Sequence, residues 1–579
     1  SLGPHRRILD RGVLCLHMSA STDWEPHEHW LRAQGVTWNE RLLEFGPGSV
    51  EGEGGADGRR PGSSKGKRLG DGDAGVEVYA RKRIAAGIEL CTIPKSSVLS
   101  VANSKWRLVL DAARGPAREL DPDTRLTLAV LAEWRRGADS AWHGYLASLP
   151  QSRLLLPSDW GSRELGWLRG TELEAKDLLE ERRELRDTFR TADPLLKKMG
   201  LLGAHTTSVQ RSALFADFRL CRAWVSSRAF DTPDPKHGLA MTPLMDIFNH
   251  RHNGDDIELS MELGSRNATG KRGAAFVVMS MRDVPAGQVL RNRYGDFANC
   301  VLLRKHGFCI PGNPHDVVYL RRKKLLQLAR RAAQVACEQG AKAGRLGRVQ
   351  NKPSANKVAA AASEGARVSF QARLRLVKLY YLAFAPQRSA SRELAEGESS
   401  DEEQDDQDED GDADGQHDGP SEWLALTMHD PVPFSVFCLL YVLLAASAAE
   451  IRGLRESMEH LPAPDSSLVE LKAAMRNALQ GVMGRLSAPR AFFKSCPVAA
   501  AVMCEALQER LSRYEGPTDE SRRLGPDEAR CAEAAGVLRE AEKAILRRAL
   551  EMVGAAGSAK PPSVCRSRGA AATKRPAQA

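Results

Sequence analysis

The sequence predicts an α+β fold in which a domain of short strands and tight turns precedes a separate all-α module. Three observations predict it. Two short stretches share one pattern, Ile84-Ala85-Ala86-Gly87-Ile88-Glu89-Leu90 and Val284-Pro285-Ala286-Gly287-Gln288-Val289-Leu290. Each places a Gly where a turn can take positive φ and follows it with apolar alternation. The second is preceded by 275–281 (AFVVMSM), rich in residues that suit a half-buried strand. Elsewhere the apolar spacing changes to the helical period.

Taken in order, residues 106–223 read as helical, with Leu126, Ala129, Val130, Glu133 and Trp134 at helix spacing. After Tyr319 the chain reads as helical throughout. Ser467-Leu468-Val469-Glu470 has capping-box spacing, and Leu468, Leu471, Met475 and Leu479 continue on one face. Leu538, Ala541, Ile545, Ala549 and Met552 form a last stripe. These stripes are read as core. Three segments read as linkers: a Gly-rich basic loop at 46–75, a small basic stretch at 341–365, and an acidic run at 396–418 (containing SSDEEQDDQDEDGDADG). Self-repulsion predicts disorder for the acidic run. The tail at 556–579 is basic and not expected to fold, and 1–23 is an N-terminal extension.

The chain has 579 residues, 42% of them apolar, which is ample for a sizeable core. Its net charge of +9 is mild for this length and does not by itself indicate nucleic-acid binding. The 11 cysteines are scattered without a Cys-x-x-Cys pair, which reads as reduced thiols with no legible metal site. The charge-free run 432–449 reaches the length of a membrane span. It opens among Pro431 and Pro433, contains Ser435 and Ser447, and lacks basic anchors, so it is read as a buried helix. The expectation is a soluble, monomeric intracellular protein, cytoplasmic first. The Arg-bearing, acid-poor stretch 5–17 and the basic tail keep chloroplast and nucleus open.

The most informative residues are Ser227-Arg228-Ala229-Phe230, then 242–250 (TPLMDIFNH), then 291–299 (RNRYGDFAN), then His306-Gly307-Phe308. In this order and spacing they resemble the SET-domain methyltransferases, in the branch that includes the plant Rubisco large-subunit lysine methyltransferase. Trp30-Leu31 with Gly35 looks like that family's opening helix, Ile93-Pro94-Lys95-Ser96 like its Ile-Pro-Lys segment, and Trp142-His143-Gly144-Tyr145-Leu146 like part of its helical insertion. The resemblance implies a SET β-fold with a helical insertion over 24–320, then an all-α substrate-binding domain over 321–555. It implies an S-adenosyl-L-methionine-dependent protein-lysine N-methyltransferase acting on a non-histone protein through a lysine side chain, with no metal.

By the same resemblance, Tyr294 is the catalytic hydroxyl. Ala74, Gly75, Val76, Arg228, Asp246, Asn249, His250 and Phe308 hold the cofactor, Arg228 through the cofactor's carboxylate. Phe230, Tyr294 and His306 line the substrate channel. The physical logic fits: methyl transfer from a sulfonium is an in-line displacement that mainly needs alignment. The acceptor lysine must be neutral, which desolvation favours. Three positions depart from the family pattern: Glu77 replaces the second Gly of a Gly-x-Gly turn, His306 replaces an aromatic, and Arg293 precedes Tyr294. Two alternatives therefore stay open: a histidine-directed enzyme of the actin-modifying type, which Phe230 speaks against, and a SET-derived binding protein with little catalysis.

Overall fold

A computed structural model of the chain describes residues 24–47, 76–151, 156–252, 254–262, 275–346, 373, 423–445, 451, 489–515 and 524–554. The predicted acidic run, the capping box at 467–470, Ala74, Gly75 and both termini lie outside these residues.

The described residues open with helix α1 (Trp24–Ala33) and then strands β1 (Thr37–Trp38), β2 (Leu43–Pro47), β3 (Val76–Ala80), β4 (Glu89–Pro94) and β5 (Leu99–Ser100). Gly46 and Pro47, read as the start of a loop, belong to β2, because they pair with Glu77 and Val76 of β3. The helical region follows as α2 (Arg107–Asp111), α3 (Pro122–Arg135), α4 (His143–Ser148), α5 (Ser162–Trp167), α6 (Ala175–Thr191), α7 (Asp193–Lys198) and α8 (Ser208–Arg228). Asp121 caps α3 by accepting from the Thr124 N–H, with Pro122 at the first helical position, where its missing N–H costs nothing. Thr207 and Gln210 form a reciprocal capping box at the start of α8. The chain then returns to strands β6 (Ala229–Asp231), β7 (Leu239–Met241), β8 (Ile257–Glu262) and β9 (Ala275–Ser280). Strands β1-β4-β9-β8 form an antiparallel sheet in that order, β5-β7-β6 a second, and β2-β3 a third.

The two sequence-related stretches pair with each other. Ile84 and Val284 exchange both backbone hydrogen bonds, at 2.9 and 2.8 Å. The Gly87 N–H donates to the Ser280 carbonyl at 2.7 Å, and the Gly287 N–H to the Ala80 carbonyl at 2.6 Å. The Ala80 and Ser280 N–H groups donate in turn to the Gln288 and Ile88 carbonyls. Gly87 and Gly287 take φ of +77° and +81°, which is why glycine stands at both.

Beyond α9 (Asn299–His306) lies β10 (Val317–Arg321), then α10 (Arg322–Leu346). Helix α10 continues six residues into the stretch read as a linker from 341. Among its described residues, the region read as helical throughout contains strand β11 (Trp423–Thr427), antiparallel to β10 over five pairs. Leu424 and Leu426 are buried while their neighbours are half-buried, a period-2 face that packs into the C-terminal core. Helices α11 (Phe434–Leu440), α12 (Pro489–Ser495), α13 (Pro497–Ser512) and α14 (Pro526–Gly554) contribute to that core. The apolar run from 432 is buried there as α11 and a π-helical turn, Tyr441–Ala445. Among the described residues, no helix is long and apolar enough to cross a membrane.

On α14 the buried stripe carries Leu538, Ile545 and Ala549 as read, but also Glu542, 1% exposed. Its carboxyl accepts from the Tyr514 hydroxyl at 2.6 Å and the Glu172 N–H at 3.0 Å. Burial pushes that carboxyl well above the usual range. A further core joins Leu165 and Leu168 of the helical insertion, Leu302, Leu303 and Phe308, and Leu538 of α14. The Tyr294 and Phe297 rings pack on this core, so the candidate site rests on three separate parts of the chain.

Candidate active site

Arg228 is the last residue of α8. The chain turns extended at Ala229 (φ −75°, ψ 146°), which leaves the Arg228 side chain at the helix end. Sixteen residues on, Leu244 takes φ +75°, the only non-glycine positive φ among the described residues. Leu244 is fully buried, so packing holds it in a conformation that its side chain disfavours. The 3-10 turn that follows, Met245–Ile247, places Asp246 in the interior. Arg228 Nη1 donates to Asp246 Oδ2 at 3.1 Å and to the Asp246 carbonyl at 3.2 Å. The Tyr145 hydroxyl, from α4, donates to the same Oδ2 at 2.9 Å.

The next residues run beside the 291–294 segment. The Asn292 N–H donates to the Asn249 carbonyl, and the Arg251 N–H to the Asn292 carbonyl, both at 2.8 Å, a parallel bridge centred on His250 and Asn292. Asp256, fully buried, accepts from the Arg291 N–H at 2.8 Å and from the Arg251 and Arg282 guanidinium groups. The two stretches that the sequence singled out, 242–250 and 291–299, thus meet at Tyr294. Its N–H donates to His250 Nδ1 at 3.1 Å, and its hydroxyl to the Phe248 carbonyl at 3.2 Å.

Four rings close around this point. Tyr294 and His306 have centroids 4.8 Å apart, His250 and Tyr294 5.1 Å, His250 and Phe308 5.9 Å, and His306 and Phe308 6.0 Å. Gly307, at φ +76°, lets the chain reverse between His306 and Phe308. His250 Nδ1 accepts, so its proton lies on Nε2. His306 Nδ1 donates to the Ser227 carbonyl at 3.2 Å, so its Nε2 carries the lone pair. Burial, helped by neighbouring positive groups, lowers His250 to about 4 and His306 to about 3, so both rings are neutral at physiological pH.

Glu77 is accommodated by pairing. It is 3% exposed, accepts from the Tyr79 hydroxyl at 2.9 Å, and forms an ion pair with Arg291 Nη2 at 3.0 Å. Val76 opens β3 and is half-buried. Phe230 is half-buried on β6 and packs against the core that holds Phe248. The side-chain amide nitrogen of Asn249 is buried and has no acceptor among the described residues, which suits a bound acceptor atom. No group of three or more His, Cys, Asp or Glu among the described residues is placed to hold a metal.

Sequence reasoning missed Tyr145, Asp256 and Arg291 as parts of this site. Arg291 and Tyr145 lay inside quoted motifs, and their roles depend on partners far away in the chain.

No family model matches the chain. It is 29% identical over 252 residues to N-lysine methyltransferase SETD6 of Mus musculus, covering 41% of this chain and 49% of that protein. It is 24% identical over 314 residues to ribosomal lysine N-methyltransferase 4 of Schizosaccharomyces pombe, covering 44% and 64%. The chain spans about half the length of the SETD6 relatives it matches. Among solved structures, the SET domain of LSMT bound to methyllysine and AdoHcy superposes with a TM-score of 0.50 at 15% identity, covering 93% of this chain and 92% of that one. The fold is therefore the SET fold of the LSMT type, which the motifs led us to expect.

Proposed function

We propose that this chain is an S-adenosylmethionine-dependent protein-lysine N-methyltransferase acting on a non-histone protein. One observation carries the reading: the Tyr294 hydroxyl, fixed on the Phe248 carbonyl, stands where the Asn249-His250 and Arg291–Tyr294 stretches join, inside a wall of four rings. The names of the relatives above support lysine as the acceptor.

Bound S-adenosylmethionine supplies an electrophilic methyl group. The orphaned amide of Asn249 and the end of Arg228 are the polar groups that hold it, with Ala74, Gly75, Val76, Asp246, His250 and Phe308 around it. Asp246 engages one side of the Arg228 fork and so fixes the direction of the guanidinium. Tyr294 Oη and the Phe248 carbonyl offer oxygen atoms to polarised methyl hydrogens through weak C–H···O contacts. The ring wall, with Phe230 farther out and His306 on one side, desolvates the lysine and favours its neutral, nucleophilic form. Because His250 and His306 are uncharged, the wall adds no cation to repel an arriving ammonium. In this reading residues 24–320 carry catalysis, 321–555 grip a folded substrate, and the chain acts as a monomer.

The test is transfer of labelled methyl from the cofactor into a protein extract, with the modified residue identified by mass spectrometry. Label on lysine is the expected result. Label on histidine would move the chain to the actin-modifying type, and binding of cofactor without transfer would make it a recognition module.

A further inference from the structure

We infer that His27 is an additional residue of the cofactor pocket, where its Nε2 accepts a hydrogen bond from the α-ammonium group of the bound S-adenosyl amino acid. The inference rests on the cofactor reading above.

His27 lies on α1, outside every motif that pointed to the site, and is 7% exposed. Its Nδ1 is bonded to Ser148 Oγ. That hydroxyl uses its single proton on the Tyr145 carbonyl at 2.7 Å, so Oγ accepts and Nδ1 donates. The tautomer follows: Nε2 carries a lone pair. This nitrogen is buried and has no partner among the described residues. The ring stands edge-on to Tyr145, with centroids 6.0 Å apart, and the Tyr145 hydroxyl binds the Asp246 carboxylate that also holds Arg228. His27 is close enough to Asp246 and Arg228 for both charges to act on it.

A second atom is in the same condition. Asp246 Oδ1 is buried without a partner, although Oδ2 has two. Two buried acceptors therefore lie in the neighbourhood of one guanidinium. Buried polar atoms are almost always satisfied, and two acceptors call for a group that donates more than once. An ammonium does so, while a guanidinium beside it draws a carboxylate. The ligand head that meets both demands is an α-amino acid zwitterion. His27 suits the part because burial lowers it to about 4, so at neutral pH it stays an acceptor.

The test is calorimetric binding of S-adenosylhomocysteine and of its desamino analogue to the full chain, as wild type and as His27→Phe, with thermal melting to confirm folding. Wild type is expected to prefer the amine-bearing ligand, and His27→Phe to reduce that preference about tenfold by weakening only the amine-bearing complex. Ser148→Ala, which releases the ring to change tautomer while keeping it in place, is expected to reduce the preference severalfold. Equal preference in wild type and both variants overturns the inference and leaves His27 a packing residue or the partner of a bridging water, with the cofactor reading intact. If His27→Phe does not fold, an unchanged preference in Ser148→Ala overturns it alone. Failure of wild type to bind either ligand overturns the cofactor reading and the inference with it.

Discussion

The turn at Gly87 and the turn at Gly287 make the same hydrogen bonds, each glycine donating to the strand that leads into the other turn, yet the chain leaves them toward different ends. After Gly87 it enters β4, which is paired on both sides, by β1 and β9. After Gly287 it makes one bridge to Tyr79 and one bond from Leu290 to Val78, then departs. From there Asp256, Asn249 and His250 hold it instead of a sheet partner, and it delivers Arg291 and Tyr294. A common backbone device thus serves the sheet in one copy and the candidate site in the other. What separates them is whether a neighbouring strand or a set of buried side chains satisfies the next backbone groups.

The strongest break in this comparison is Tyr294→Phe. Turnover should fall roughly a hundredfold, by analogy with loss of one oriented polar group at a reacting centre, while calorimetric affinity for S-adenosylhomocysteine is retained. Unchanged turnover would remove Tyr294 from the chemistry. Next in size is Arg291→Ala, which leaves the Glu77 carboxylate buried without its ion pair and should cost about 3 kcal/mol in urea unfolding. Adding Glu77→Gln should restore most of that, and a purely additive double variant would show that the pair is not coupled.

Acid sharpens the same contrast, because it acts on the rings of the site. His27, His250 and His306 sit at about 4, 4 and 3 when folded, against an ordinary value near 6.5. The unfolded chain therefore takes up protons first. The stability these rings contribute is present above about pH 6.5 and is lost as pH falls through about 4 toward 3. Melting temperature should drop over that window, and less steeply in His27→Phe. The smallest effect separates the twins directly. Gly87→Ala and Gly287→Ala each force a side chain into a positive φ with open space around it, at about 1 kcal/mol. The two losses of stability should match, whereas only Gly287→Ala should lower turnover.

The twin turns, β9, the helices of the insertion and the meeting of 242–250 with 291–299 were legible because each has a local pattern or a fixed motif. β11 was not. Its alternation is only five residues long, and its partner β10 lies some hundred residues upstream, so nothing nearby marks it as a strand. Glu77 looked like an obstacle in the cofactor turn because its compensation, Arg291, comes from the far side of the second turn. Tyr145 and His27 fall in the same class as Glu77. Their residue types were visible, but the hydrogen bonds that give them meaning join α1, α4 and the Asp246 turn.

The mutual pairing of the two turns also sets an order of assembly. Arg83 and Asp283, which bridge them, are 200 residues apart in the chain. Closing so long a loop costs conformational entropy before any contact rewards it, and distant pairings slow folding for that reason. Helices α3 and α8 pack on each other within the intervening insertion. Once they have docked, the effective loop between the turns is far shorter. The insertion should therefore fold early, and the Tyr294 site, which needs the second turn in place, should be among the last parts of the molecule to form.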